Sequence, residues 1–145
     1  MADALTAPHI LEYPYTRSVG PILAAFFTAL KDRRILGVRA ADGRVLVPPQ
    51  EYDPETGATL EDLVQVADAG VVTTWAWVAE PRPKHPLREP FAFALVRLDG
   101  ADTALLHAVA AHGIDAMTTG MRVRARWRED RSGDITDILC FEPLP

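Results

Sequence analysis

The sequence predicts a mainly β protein: a five-stranded barrel preceded by a short amphipathic helix and a turn-rich hairpin. Three observations carry this expectation. From Glu61 onward five apolar-rich runs follow one another, at 71–79, 91–98, 103–109, 121–127 and 135–141, with a turn or short helical link at 116–120. Five strands with a helical element between the third and fourth have the strand count and order of an OB-fold. The fourth run alternates cleanly, Met121, Val123, Ala125 and Trp127 against Arg122, Arg124, Arg126 and Arg128, which is the period of a strand with one buried face. Ahead of the barrel, two turn-forming stretches, Asp42-Gly43 and Asp53-Pro54-Glu55-Thr56-Gly57, bracket a short apolar run ending in Pro48-Pro49.

The elements divide the chain into an arm and helix at 1–34, a hairpin segment at 35–60 and the barrel at 61–145. Residues 1–20 hold Pro8, Pro14, Tyr13 and Tyr15 without a sustained period and read as an extended arm. Pro21 suits the first helical position, where its missing N–H costs nothing. Leu23, Phe26, Phe27 and Leu30 then recur at helical spacing, with Lys31, Arg33 and Arg34 at the negative end of the dipole. This aromatic stripe either docks on the chain's own barrel or meets a partner subunit. In the first barrel strand, Val72, Thr74, Ala76 and Val78 oppose Trp75 and Trp77.

The 35–57 stretch has the layout of two metal knuckles. RAADG, the Pro-Pro pair and YDPETG stand where C-x-x-C-G, PP and C-P-x-C-G would. The ligand slots are filled by Arg39, Asp42, Asp53 and Thr56. Structural zinc requires a closed set of thiolate or imidazole donors, so this set does not bind it. The hairpin is expected to be metal-free, with Arg39 paired to Asp42 or Asp53 as the substitute clip.

That layout, with the strands after it, resembles the zinc-ribbon plus OB-fold accessory proteins of thiolase-type enzymes, the family of domain of unknown function thirty-five. The resemblance covers nearly the whole chain, and the missing cysteines are its one clear departure. It implies a non-catalytic subunit that binds a thiolase-like enzyme, an aldolase or acyltransferase working on acyl-coenzyme A thioesters. The N-terminal pattern YPYTRSVGPILAAFFTALKDRRILG looks like members associated with steroid or other lipid catabolism.

Composition narrows the classes. A chain of 145 residues buries one real core. A net charge of −5 argues against a protein whose main task is gripping phosphate backbones. No apolar run is long enough to span a bilayer. The first residues lack a basic and then apolar leader pattern, and one cysteine, Cys140, excludes an intrachain disulfide. A cytoplasmic location is the expectation.

No nucleophile, base and orienting group come together in the pattern, so no catalytic residue and no cofactor are assigned. His9, His85, His107 and His112 lie in different elements, and Cys140 sits where a small buried hydrophobe belongs. The candidates for partner binding are Leu23, Phe26, Phe27, Leu30, Trp75, Trp77, Arg82 and His85. The loop 80–90, rich in proline and so held in shape, offers Lys84 to anionic groups alongside Arg122, Arg124 and Arg126. Those arginines admit three readings: a solvated face paired across the strand by Asp130, Asp134 or Asp137, a contact with a partner or with coenzyme A phosphates, or a nucleic-acid groove with Trp75 and Trp77 as stacking platforms. The alternative to an accessory subunit is therefore an independent OB-fold module for nucleic acid.

Overall fold

In the computed structural model, which describes residues 4–145, a ten-residue helix α1 (Pro21–Leu30) leads into a three-stranded sheet and then a closed five-stranded barrel. The small sheet runs in the order β2-β1-β3, from β1 (Ile35–Arg39), β2 (Val45–Leu46) and β3 (Leu63–Val66). The barrel comprises β4 (Ala69–Val78), β5 (Phe91–Leu98), β6 (Leu105–Val109), β7 (Arg122–Trp127) and β8 (Ile138–Pro143), in the order β4-β5-β6-β8-β7. β7 returns to β4 and closes it. β6 and β8 are parallel, and a 3-10 turn at Ile114–Ala116 precedes β7. This is the expected OB-fold.

α1 starts without a capping side chain of its own at Gly20. Glu51, far along the chain, supplies the acceptors: its carboxylate takes the N–H groups of Leu23 at 2.9 Å and Ile22 at 3.3 Å. A carboxylate at a helix N-terminus also meets the positive end of the dipole. A Cβ on Gly20 would lie 2.3 Å from the Glu51 carboxyl carbon, so a larger residue there would have to displace the capping carboxylate.

The helix buries Ile22, Phe26, Ala29 and Leu30, with Leu23 and Phe27 half-buried beside them. Phe26 and Leu30 join Ile35, Val45, Val47 and Val66 in one continuous core with Val72, Val96, Val109 and Phe141 of the barrel. Phe26 and Leu30 are thereby corrected from partner-binding candidates to interior residues. The cations also shift: α1 ends at Leu30, and Lys31 and Arg33 occupy the turn beyond it.

Three local features depart from the alternation of the sequence. β3 pairs with β1 in the small sheet, so that sheet reaches Val66, past the expected boundary at residue 60. In β4 a bulge between Val72 and Thr74 inserts one residue, and Thr73 Oγ1 donates to the Leu95 carbonyl at 3.1 Å. Val72 on one side of the bulge and Trp75 and Trp77 on the other therefore all pack on the core, while Thr74 and Ala76 are exposed. The last run divides into a 3-10 turn at Ile135–Asp137 and β8, because Asp134 and Asp137 form a reciprocal cap there.

The ribbon is stitched to the barrel by side chains of 102–103. Asp102 accepts from Val45 N at 2.8 Å, and Thr103 Oγ1 both accepts from Val47 N and donates to Val47 O.

Candidate partner-binding surface

The two knuckles close without a metal, through one carboxylate. Asp53 Oδ2 accepts the Ala41 N–H of the first turn at 2.8 Å, while Oδ1 accepts from Glu55 and Thr56 in the second, at 2.9 and 3.0 Å. These bonds, led by that from Ala41, hold the Asp53 pKa down to about 2 from an ordinary 3.8. Arg39, Asp53 and Thr56 border one surface depression, yet Arg39 does not pair with Asp53. Its guanidinium turns instead to Asp62, at 3.2 Å, and to the Gly43 carbonyl. Asp42 is held by Arg44 at 2.5 Å. The expected Arg39 clip is thus corrected: a carboxylate bonded to backbone amides does that work, because both turns aim N–H groups at this point. The donor set does not fit zinc, since an arginine and a threonine fill two slots and the Asp53 oxygens are engaged. Among the described residues no three His, Cys, Asp or Glu side chains form a metal-holding group.

Three of the four alternating arginines are paired to carboxylates. Arg122 makes a two-pronged pair with Asp99, at 2.6 and 2.5 Å. Arg124 lies 3.6 Å from Asp68 and Arg126 3.0 Å from Glu142. Asp99 stands just after β5, Asp68 between β3 and β4 and Glu142 in β8, so Asp130, Asp134 and Asp137 are corrected as partners. Asp137 is buried, accepting backbone N–H groups of Ser132, Gly133 and Asp134. Trp75 and Trp77, half-buried against the core, are not the free platforms that stacking on bases requires.

The proline-rich loop folds back on the outside of the barrel. The His85 ring meets Phe91 and Phe93 edge-to-face, at 5.7 and 5.9 Å, and its Nδ1 accepts from Arg82 N at 3.0 Å. Leu87, Val78 and Phe93 pack on Phe91, Ala108 and Cys140 to make a second, small core beneath the loop. His85 is therefore half-buried, holding the loop's shape, whereas Arg82 and Lys84 remain exposed. Lys84 pairs with Glu12 of the arm at 3.0 Å.

Two surfaces remain open. Residues 4–19 run without helix or strand and are exposed throughout, and the arm carries Leu5, Ile10, Leu11, Tyr13 and Tyr15, each at least 68% accessible. On the outer barrel face, Leu95 and Leu106 stand opposite each other across β5 and β6, both exposed. Beside them is a cavity of about 230 Å³. The sequence pattern gave no sign of the second surface, because Leu95 and Leu106 become neighbours only through strand register.

The groups with reactive chemistry are scattered or sealed. Cys140 is buried, which pushes its thiol pKa up. Burial lowers the pKa of His107, whose Nδ1 accepts the Ala108 N–H at 2.9 Å and whose ring meets Phe141 edge-to-face at 5.5 Å. Neither has the nucleophile, base and orienter geometry of a catalytic set. Among the described residues no helix is long and apolar enough to cross a membrane.

Residues 63–128 match the family described as ChsH2, C-terminal OB-fold domain. The segment from β3 to β7 is thus similar to the ChsH2 OB-fold domain. Over its length the chain is similar to a chain of the solved structure described as the Ltp2-ChsH2(DUF35) aldolase, at 26% identity, with 88% of this chain and 98% of that one covered and a TM-score of 0.63. A DUF35 family protein of unknown function from Sulfolobus solfataricus shares the fold, at 21% identity over 86% and 83% of the two chains and a TM-score of 0.63. No curated protein matches the chain. The ChsH2 match spans β3 to β7, and the similarity to the aldolase chain extends beyond the barrel to most of the remaining residues.

Proposed function

We propose that this ChsH2-like chain is a non-catalytic subunit that binds and supports a thiolase-superfamily enzyme. That enzyme would be an aldolase or acyltransferase acting on acyl-coenzyme A thioesters, in steroid side-chain or other lipid catabolism. The observation that carries the reading is the similarity to a chain of an Ltp2-ChsH2 aldolase over nearly the full length of both chains. The surface supports it: large apolar side chains that a chain leaves uncovered mark an interaction site, and the arm offers five within its first fifteen residues. The scattered histidines and the sealed Cys140 leave the chemistry to a partner.

Co-expression with the thiolase-like enzyme of the same host tests this. The expected result is a stable hetero-oligomer whose activity on an acyl-coenzyme A thioester falls when this chain is omitted. A partner that is fully active alone, with no complex detected, would refute it.

A further inference from the structure

A cavity lies on the outer barrel face. It opens where β6 and β8 part, since those strands meet at one register pair, Val109 with Phe141. Its walls come from Phe93 of β5, Leu106 and Ala108 of β6, Ile135 and Leu139 on the approach to and within β8, and Pro86 of the proline-rich loop. At about 30 Å³ for each water-sized group, 230 Å³ admits roughly seven or eight non-hydrogen atoms. That is the size of one aromatic side chain, and below the range of about 300–1,000 Å³ for pockets of drug-sized ligands.

The surroundings specify what accompanies it. Leu106 is 61% exposed and faces Leu95, so an apolar shelf borders the mouth. Arg128 lines the same cavity. Of the four alternating arginines, Arg122, Arg124 and Arg126 each have a carboxylate, while Arg128 has none among the described residues. Its Nε donates to the Thr136 carbonyl at 2.7 Å, which fixes the side chain beside the cavity and leaves the two terminal nitrogens for an incoming anion. His107 also lines the cavity, and its ring is fixed there, Nδ1 accepting the Ala108 N–H at 2.9 Å and the ring meeting Phe141 edge-to-face at 5.5 Å. A rigid pocket for one ring, an apolar shelf and an unspent cation form the pattern of an interface anchor site.

We propose that this cavity receives one aromatic side chain of the thiolase-like subunit, with an adjacent Asp or Glu of that subunit paired to Arg128. The inference rests on the accessory-subunit reading and adds where and by what chemistry the partner docks.

The test uses the full chain and the co-purified partner, with affinity read by titration calorimetry. Leu106→Glu should weaken the complex by roughly 30-fold or more, as the loss of an anchor contact does. Arg128→Glu should weaken it by roughly tenfold or more, with a steeper loss at low salt, as for a reversed charge pair. Both positions are exposed, so melting temperatures should stay near that of the unaltered chain, and Leu95→Lys serves if either variant fails to fold. Ile114→Glu, also exposed but outside the cavity, is the control and should bind within about threefold. If the unaltered chain binds and these cavity variants bind equally well, the anchor site is wrong while the accessory reading stands. If the unaltered chain forms no complex, both fail. Binding of phenol in the cavity without any effect of the variants on the complex would reassign it to a small ligand and overturn the proposal.

Discussion

Asp53 holds Ala41: the carboxylate of the second knuckle accepts the backbone N–H of the first at 2.8 Å, and this bond joins the two turns where a metal would otherwise stand. Asp53→Ala should leave the amides of Ala41, Glu55 and Thr56 without their acceptor, lowering the melting temperature by several degrees and speeding amide exchange at Ala41. Asp53→Asn, which keeps one acceptor oxygen, should fall between. Equal exchange at Ala41 in all three proteins would show that the clip lies elsewhere.

The same bond predicts an acid response. The folded pKa of Asp53 lies at about 2, below its ordinary 3.8. Its contribution is therefore complete above about pH 5 and is lost as the pH falls from there through 2. His107 also has a folded pKa below its ordinary 6.5, because burial disfavours the imidazolium. Its neutral form favours folding above that value, and acidification below 6.5 erodes stability earlier than Asp53 does. Denaturant titration across pH should show two stages, and Asp53→Asn should flatten only the lower one.

Metal content gives an independent check on the ribbon. Protein purified without added zinc should carry far less than one equivalent, since Arg39 and Thr56 take two of the four slots. A full, tightly held equivalent would contradict the assignment of those slots.

Helix and arm should separate stability from association. Phe26 is 1% exposed in the shared core, so Phe26→Ala should cost about 3–5 kcal/mol in unfolding free energy. Tyr13→Ala and Tyr15→Ala, on the exposed arm, should change it by less than about 0.5 kcal/mol. A reversal of this order in chemical denaturation would mean that the helix is not part of the core.

The barrel was legible in the sequence because strands β5 and β7 alternate plainly and the break before β7 marks the OB-fold order. Other features depended on partners distant in sequence. β3 is four residues interrupted by Gln65 and becomes a strand only by pairing with β1. The bulge after Val72 moves Trp75 and Trp77 to the core side, which period-two counting from the flanking residues cannot register. Arg39 finds Asp62, and Arg122 finds Asp99, both 23 residues away, and Glu51 caps a helix 28 residues before it. The helix stripe showed which side chains are apolar; the packing decided that Phe26 and Leu30 face inward and that the arm stays open.

The central claim is association with a thiolase-like enzyme, and the measurement that tests it most directly is the mass of the co-expressed species by light scattering during size-exclusion chromatography. The account predicts one peak with this chain and the enzyme in near-equal amounts, and negligible retention of single-stranded oligonucleotide at physiological salt, because the arginine face is already paired to carboxylates. Separate peaks for the two proteins, together with micromolar or tighter oligonucleotide binding that weakens steeply with salt and disappears when Arg122, Arg124 and Arg126 are replaced, would contradict it.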